Sequence, residues 1–161
     1  MKDGVNKNLE PIVVLNNIRS VFNTASIFRI ADCVGVKKII LCGVTPEPID
    51  RFGRTRKDFS KVSLGAEKTV SYEYFKSFVD AVENLKKQNI KIVALEQDKR
   101  STNFKDFKAT SKMAVVVGRE REGFSKEDLD VCDEIVEIPM RGNKESLNVN
   151  IALAVFLFSS F

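Results

Sequence analysis

The sequence predicts an α/β fold with a mainly parallel sheet flanked by helices. Three observations predict it. Short apolar runs such as Lys38–Gly43 and Met113–Val117 lack the in-out alternation of a half-exposed strand, the pattern of a parallel strand covered on both faces. Between such runs stand stretches with apolar residues at helical spacing, among them Ala25, Phe28, Ala31 and Val34. The two kinds of segment alternate along the chain.

Residues Met1 to Glu10 are polar and expected to be loose. Pro11–Leu15 reads as a short buried strand and Asn16–Ser20 as a polar loop. Asn23 or Thr24 can cap the helix that follows, and Gly35 stands where a left-handed residue closes a helix. Lys38–Gly43 is the next strand. From Thr45 to Lys68 regularity fails: Pro46, Pro48 and Gly53 punctuate it, and Arg51, Arg54, Arg56, Lys57 and Lys61 make it basic. Ser71 is expected to cap a helix with Phe75, Phe78, Val79, Val82 and Leu85 on one stripe, ending near Asn89. Ile90–Leu95 reads as a strand, and a connection containing Phe104 and Phe107 leads to the strand Met113–Val117. Gly118–Gly123 is a turn, and Ser125 with Asp128 forms a capping pair for a brief helix to Val131. Ile135–Ile138 is the last strand. The polar stretch Pro139–Asn150 then runs into the apolar helix Ile151–Phe158, which Ser146 or Asn148 can cap. No repeat, low-complexity tract or linker interrupts the pattern, so residues 1–161 read as one domain.

At 161 residues the chain can build an ordinary core, and 43% hydrophobic with 30% charged residues is a globular composition. The net charge of +4 and pI near 9.0 favour an acidic partner such as nucleic acid. Cys33, Cys42 and Cys132 are odd in number and far apart, as expected of reduced core thiols in a cytoplasmic protein. The absence of histidine excludes His-based triads and His metal sites, and no metal is expected. No signal peptide is read at the start, and the terminal apolar run is too short to cross a bilayer.

In open α/β sheets ligands bind beyond the carboxyl ends of the strands. Three loops hold that position: Asn16–Asn23, Gly118–Gly123 and Pro139–Asn150. The second is not a phosphate loop, because Phe124-Ser125 stands where Gly-Lys-Ser/Thr needs its lysine. No G-x-G-x-x-G follows any strand, which argues against a dinucleotide site. The third concentrates side-chain donors and acceptors, and its backbone can wrap a small polar ligand.

These loops carry a family resemblance. Asn23, then Arg29-Ile30-Ala31-Asp32 and Gly35, resembles the first motif of the SpoU (TrmH-type) RNA 2′-O-methyltransferases of the knotted SPOUT superfamily. Val117-Gly118-Arg119-Glu120-Arg121-Glu122-Gly123-Phe124-Ser125 is similar to their second motif. Ile138-Pro139-Met140 with Glu145-Ser146-Leu147-Asn148-Val149 is similar to the third. The resemblance spans Pro11 to the C-terminus. Arg119, where the family often has Asn, and Asn150, where it often has a small residue, depart from the pattern.

The resemblance implies a C-terminal deep trefoil knot and S-adenosylmethionine held by the knot loops, with Leu95, Gly118, Ile138 and Leu147 lining it. It makes Asn23, Arg29, Glu120, Ser146 and Asn148 the polar residues of the reaction centre, and a ribose 2′-hydroxyl of RNA the methyl acceptor, tRNA ahead of rRNA. It also implies a homodimer paired across the knot helices, each site completed by its neighbour. An arginine stays protonated in proteins, so Arg29 is read as an orienting donor. The basic loop, with Arg51, Arg54, Arg56 and Lys57, is read as a contact for RNA phosphates. The alternatives are a non-catalytic RNA-binding member of the same fold and an enzyme acting on a base nitrogen.

Overall fold

The computed structural model describes residues 9–161, so most of the loose start expected over Met1 to Glu10 lies outside the described residues. Seven strands form one sheet: β1 (Ile12–Asn16), β2 (Lys38–Cys42), β3 (Ser71–Phe75), β4 (Lys91–Leu95), β5 (Thr102–Asn103), β6 (Met113–Val117) and β7 (Glu134–Glu137). Their order is β3-β2-β1-β6-β4-β7-β5, and every pairing is parallel. Five helices flank it: α1 (Val21–Val34), α2 (Lys57–Ser63), α3 (Phe78–Lys87), α4 (Lys126–Asp130) and α5 (Val149–Ser160).

The uninterrupted apolar runs serve both faces of the sheet. Val13, Leu15, Val93, Val115 and Val117 join the core under α1, α2 and α5, where Phe28 meets Phe59 edge-on at 5.2 Å. Their neighbours Val14, Ile92, Ala114 and Val116 join the opposite core, with Phe78, Val82 and Leu85 of α3. Successive side chains of a strand point to opposite faces, so such a run needs cover on both sides, and the helices provide it.

Several expectations shift. The helix expected from Ser71 begins at Phe78, capped by Ser77, whose Oγ accepts from the Asp80 N–H. Ser71–Phe75 is instead a strand parallel to β2. Phe75 stands three residues before Phe78 and so imitates a helical stripe, while Tyr72, Tyr74 and Phe75 have the aromatic character of a strand. Val79 is consequently exposed rather than in the core. Within the irregular stretch Thr45–Lys68 the chain forms α2 and a 3₁₀ turn at Ala66–Lys68. The long connection before β6 contributes β5 as an edge strand.

Ser20, not Asn23 or Thr24, caps α1: its Oγ accepts from the Asn23 N–H at 3.1 Å. Gly35 closes that helix as expected, at φ 92°. Asn148, not Ser146, caps α5. Cys42 is buried and Cys132 half-buried; burial first, and nearby aspartates second, push both thiols up to about 12. Cys33 is exposed and lies outside the core, against expectation. No described helix is long and apolar enough to cross a membrane.

Candidate active site

β4, β6 and β7 lie side by side and parallel, so their carboxyl ends open on one edge of the sheet. A cleft lies there, bounded by Leu95, by Gly118 and its loop, by Ile138 and Met140, and by Ser146, Leu147 and the first turn of α5. The four residues assigned to the cofactor, Leu95, Gly118, Ile138 and Leu147, all line it, although more than fifty positions separate the first from the last. Glu120 and Ser146 line it as well.

The loop after β6 is a tight turn. Arg119 and Gly123 bridge antiparallel, with the Gly123 N–H donating to the Arg119 carbonyl at 3.0 Å. Gly123 has φ 68°, and a Cβ there would meet Glu96 Oε2 at 2.6 Å. A Cβ on Gly118 would meet the Phe124 ring at 2.7 Å. Gly123 needs glycine for its left-handed backbone, since the Glu96 carboxylate tip can move aside, and Gly118 needs it for the approach of the Phe124 ring.

Glu120 ties this loop to the start of α1. Its carboxylate accepts from the N–H groups of Arg19 (3.3 Å) and Ser20 (3.1 Å) and from Asn23 Nδ2 (3.2 Å). Partial burial pushes its pKa up, but its own N–H and those three donors outweigh burial, so the net shift is downward. Glu120 is therefore a firmly ionised, largely engaged carboxylate, a poor proton acceptor and a good clamp. Asn23 is buried in the first turn of α1, its side chain aimed at Glu120, and that contact replaces the capping role expected for it.

Three further residues hold the walls together and escaped the sequence reading. Glu96 accepts from the Phe124 N–H at 3.3 Å, and Gln97 Nε2 donates to the Glu145 carbonyl at 2.7 Å, so the end of β4 grips both neighbouring loops. Buried Thr45 donates to the Cys42 carbonyl at 2.8 Å and accepts from the Ile18 N–H at 3.1 Å, fixing the ends of β1 and β2. The carboxyl-end rule that found three loops applies equally to the loop after β4, and that signal would have found Glu96 and Gln97.

Three of the five residues assigned to the reaction centre stand off the cleft of their own chain: Asn23 reaches only Glu120 at its border, and Arg29 and Asn148 lie further out. Arg29 is exposed on α1; six residues past Asn23, it lies about two-thirds of a turn round and roughly 9 Å along the helix. Asn148 is exposed too, its Oδ1 accepting from the Asn150 N–H at 3.3 Å. Arg119 lines the cleft, while Asn150 is buried with its Oδ1 on the Ile151 N–H.

The basic loop is a hairpin beyond β2, on the same sheet edge, with Ile49 and Thr55 bridged antiparallel. Arg56 is engaged by Asp58 through two hydrogen bonds of 3.1 and 2.8 Å, and Arg54 Nε meets Asp50 at 2.9 Å. Arg51 and Lys57 are exposed, and among the described residues neither forms an ion pair.

The chain matches the model of the SpoU rRNA Methylase family over residues 10–158. It is 31% identical to 23S rRNA (guanosine-2′-O-)-methyltransferase RlmB of Bordetella pertussis, over 92% of this chain and 58% of that protein. The chain thus spans little more than half the length of the curated relatives it matches. Among solved structures it resembles the A. aeolicus TrmH/SpoU tRNA modifying enzyme with a TM-score of 0.79 and 29% identity, covering 93% of this chain and 73% of that one. It shares its fold with the AdoMet-bound rRNA methyltransferase from Sinorhizobium meliloti, with a TM-score of 0.83 and 23% identity over 93% of this chain and 55% of that one.

Proposed function

As the chain belongs to the SpoU rRNA Methylase family, we propose that it is an S-adenosylmethionine-dependent RNA methyltransferase acting on a ribose 2′-hydroxyl. The observation that carries this reading is the convergence of Leu95, at the end of β4, and Gly118, Ile138 and Leu147, from the loops after β6 and β7, on one cleft at the carboxyl edge of a parallel sheet. The cleft fits that cofactor: apolar walls for a flat purine and ribose, backbone groups at the bare Gly118, and the open first turn of α5. S-adenosylmethionine bound there supplies a methyl group already activated by its sulfonium.

The chain's own residues then have to place the hydroxyl in line with that methyl. Glu120 holds Asn23 and the start of α1 against the cleft. Ser146 lines the cleft beside Leu147 and offers a polar contact there, while Asn148, just outside it, caps α5. Arg29 stays protonated and orients the RNA backbone or the hydroxyl.

The dimer belongs to this proposal. Ile151, Val155 and Phe158 form an exposed apolar stripe on α5, and Phe22 is exposed on α1, which packs against α5. A patch of that kind favours a partner, and a second copy of the same face would carry Arg29 to the neighbouring cleft. The proposal also includes a knot. β7 runs between β4 and β5, and Gln97 reaches across to Glu145, the arrangement expected where the last segment threads the β4–β6 connection.

The RNA class follows the relatives' names more than the chain's size. The expectation of tRNA ahead of rRNA is not supported by the curated relatives from Bordetella pertussis and Escherichia coli, which are named for 23S rRNA, although the A. aeolicus neighbour is named for tRNA. We therefore place rRNA first. The test supplies labelled cofactor with rRNA and tRNA in parallel, followed by digestion to nucleosides. Label on ribose methyl groups is expected. Label on base nitrogens, or none on either RNA, overturns the proposal.

A further inference from the structure

The basic hairpin contains an aromatic residue that the phosphate reading does not use. Between positions 50 and 61 the sequence has five basic residues against two acidic ones. At the tip Phe52 is 66% exposed, with the guanidinium carbons of Arg51 and Arg54 over its ring at 4.7 and 5.0 Å from the centroid. The tip is held in shape from inside. Asp50 Oδ1 accepts from the N–H groups of Phe52 (2.8 Å) and Arg54 (3.0 Å), and the Asp50 N–H donates to the Arg54 carbonyl at 2.8 Å. Burying Phe52 would satisfy the ring more simply, yet the hairpin presents it outward, most of its surface open and both guanidiniums close by.

We propose that Arg51, Phe52 and Arg54 form a contact for unpaired RNA, in which a splayed base stacks with Phe52 and the guanidiniums meet the flanking phosphates. The inference rests on the RNA reading above and narrows it to a single-stranded segment beside the target nucleotide. Stacking on an aromatic ring needs a base with a free face, which a loop or bulge offers and a closed helix does not. Guanidinium groups resting on a ring keep their N–H edges outward for phosphate oxygens. Arg56, whose Nε and Nη2 both go to Asp58, is left out of the contact, whereas Arg54 gives only its Nε to Asp50 and keeps its terminal N–H groups for phosphate. The hairpin follows β2, which lies two strands, about 10 Å, from β6 along the same sheet edge. That is a reach of a few nucleotides.

The test compares a fluorescently labelled RNA stem-loop with a fully paired RNA duplex of equal length, by anisotropy. Phe52→Ala should weaken stem-loop binding about tenfold and leave the duplex nearly unchanged. Phe52→Trp should restore the stem-loop. Replacing Arg51 and Arg54 together should weaken both RNAs and lower the salt slope by about two units at most. Cofactor binding by calorimetry should match wild type in every variant. Stem-loop binding that ignores Phe52→Ala overturns the proposal while the methyltransferase reading stands. So does a change of oligomeric state in Phe52→Ala by light scattering without loss of RNA affinity, which would make the tip a protein contact. Wild-type protein that neither binds nor methylates RNA overturns both.

Discussion

Asn23 Nδ2 donates to Glu120 Oε1 at 3.2 Å across ninety-seven positions of sequence. This contact joins the helix that carries Arg29 to the loop that walls the cleft. A polar pair at that place does more than decorate the surface, because the same carboxylate also receives the first N–H groups before α1.

Glu120→Gln should therefore lower the melting temperature at neutral pH by a few degrees and reduce methyl transfer. The carboxylate's folded pKa is lowered from 4.5. A depressed carboxyl contributes stability above its unfolded value and loses it as pH falls through the folded one. The gap between wild type and variant should accordingly close as pH drops below 4.5. Thermal melts along a descending pH series check this, and a constant gap would assign the effect to packing.

Gly118→Ala should cost on the order of 1–3 kcal/mol of stability, the usual range for overpacking. The new Cβ would stand 2.7 Å from the Phe124 ring, which itself packs edge-on against Phe78 at 6.4 Å. The Phe124 ring can yield only at the expense of its packing against Phe78 and the neighbouring core. Urea unfolding should show the stability loss, and calorimetry should show at least tenfold weaker cofactor binding.

Leu147→Asp separates binding from folding. Leu147 is 41% exposed, so the substitution should leave the melting temperature within about two degrees of wild type. It places a carboxylate in the apolar wall of the cleft, where an unpaired charge is costly once a ligand covers it. Cofactor binding should vanish in calorimetry with EDTA present. Retained affinity would move the cofactor away from this wall.

Much of this was legible in the sequence for physical reasons. Buried parallel strands must be apolar on both faces, so β1, β2, β4, β6 and β7 announced themselves, and Gly35 and Ser125 marked helix ends by their chemistry. The strand Ser71–Phe75 was not, because five half-exposed residues carry too little periodicity to outweigh an accidental helical spacing with Phe78. Nor was the capping by Ser20, since Asn23 is an equally good cap in isolation, and only the distant Glu120 claims its side chain. The grip of Glu96 and Gln97 on two loops depends on the strand order β6-β4-β7, which no local pattern encodes. Arg29 was found by motif alone, and its position off the cleft is a matter of helix phase.

Val155→Asp should turn a dimer into a monomer. Val155 is 38% exposed and central to the stripe Ile151, Val155 and Phe158, so two buried charges would face each other in a symmetric pairing. Because the residue faces outward, the monomer should still fold, melting below wild type by no more than the lost association accounts for. Light scattering of both proteins at matched concentration decides it, and a monomeric wild type would remove the dimer from the proposal.

Arg29→Ala should remove nearly all turnover and leave cofactor affinity close to normal, because Arg29 does not line the cleft of its own chain. If a symmetric pairing brings Arg29 to the partner's cleft, two dead variants should rescue each other. Arg29→Ala keeps an intact cofactor wall, and Leu147→Asp keeps its arginine. In a mixed dimer the first protomer binds the cofactor and the second supplies the guanidinium, so one complete centre forms from two inactive chains. Co-expressed and doubly tag-purified heterodimers should then recover a substantial part of wild-type turnover per centre, while each homodimer stays inactive. An inactive heterodimer whose composition is verified by mass spectrometry would place Arg29 in service of its own chain. Full activity in the Arg29→Ala homodimer would end its catalytic assignment altogether.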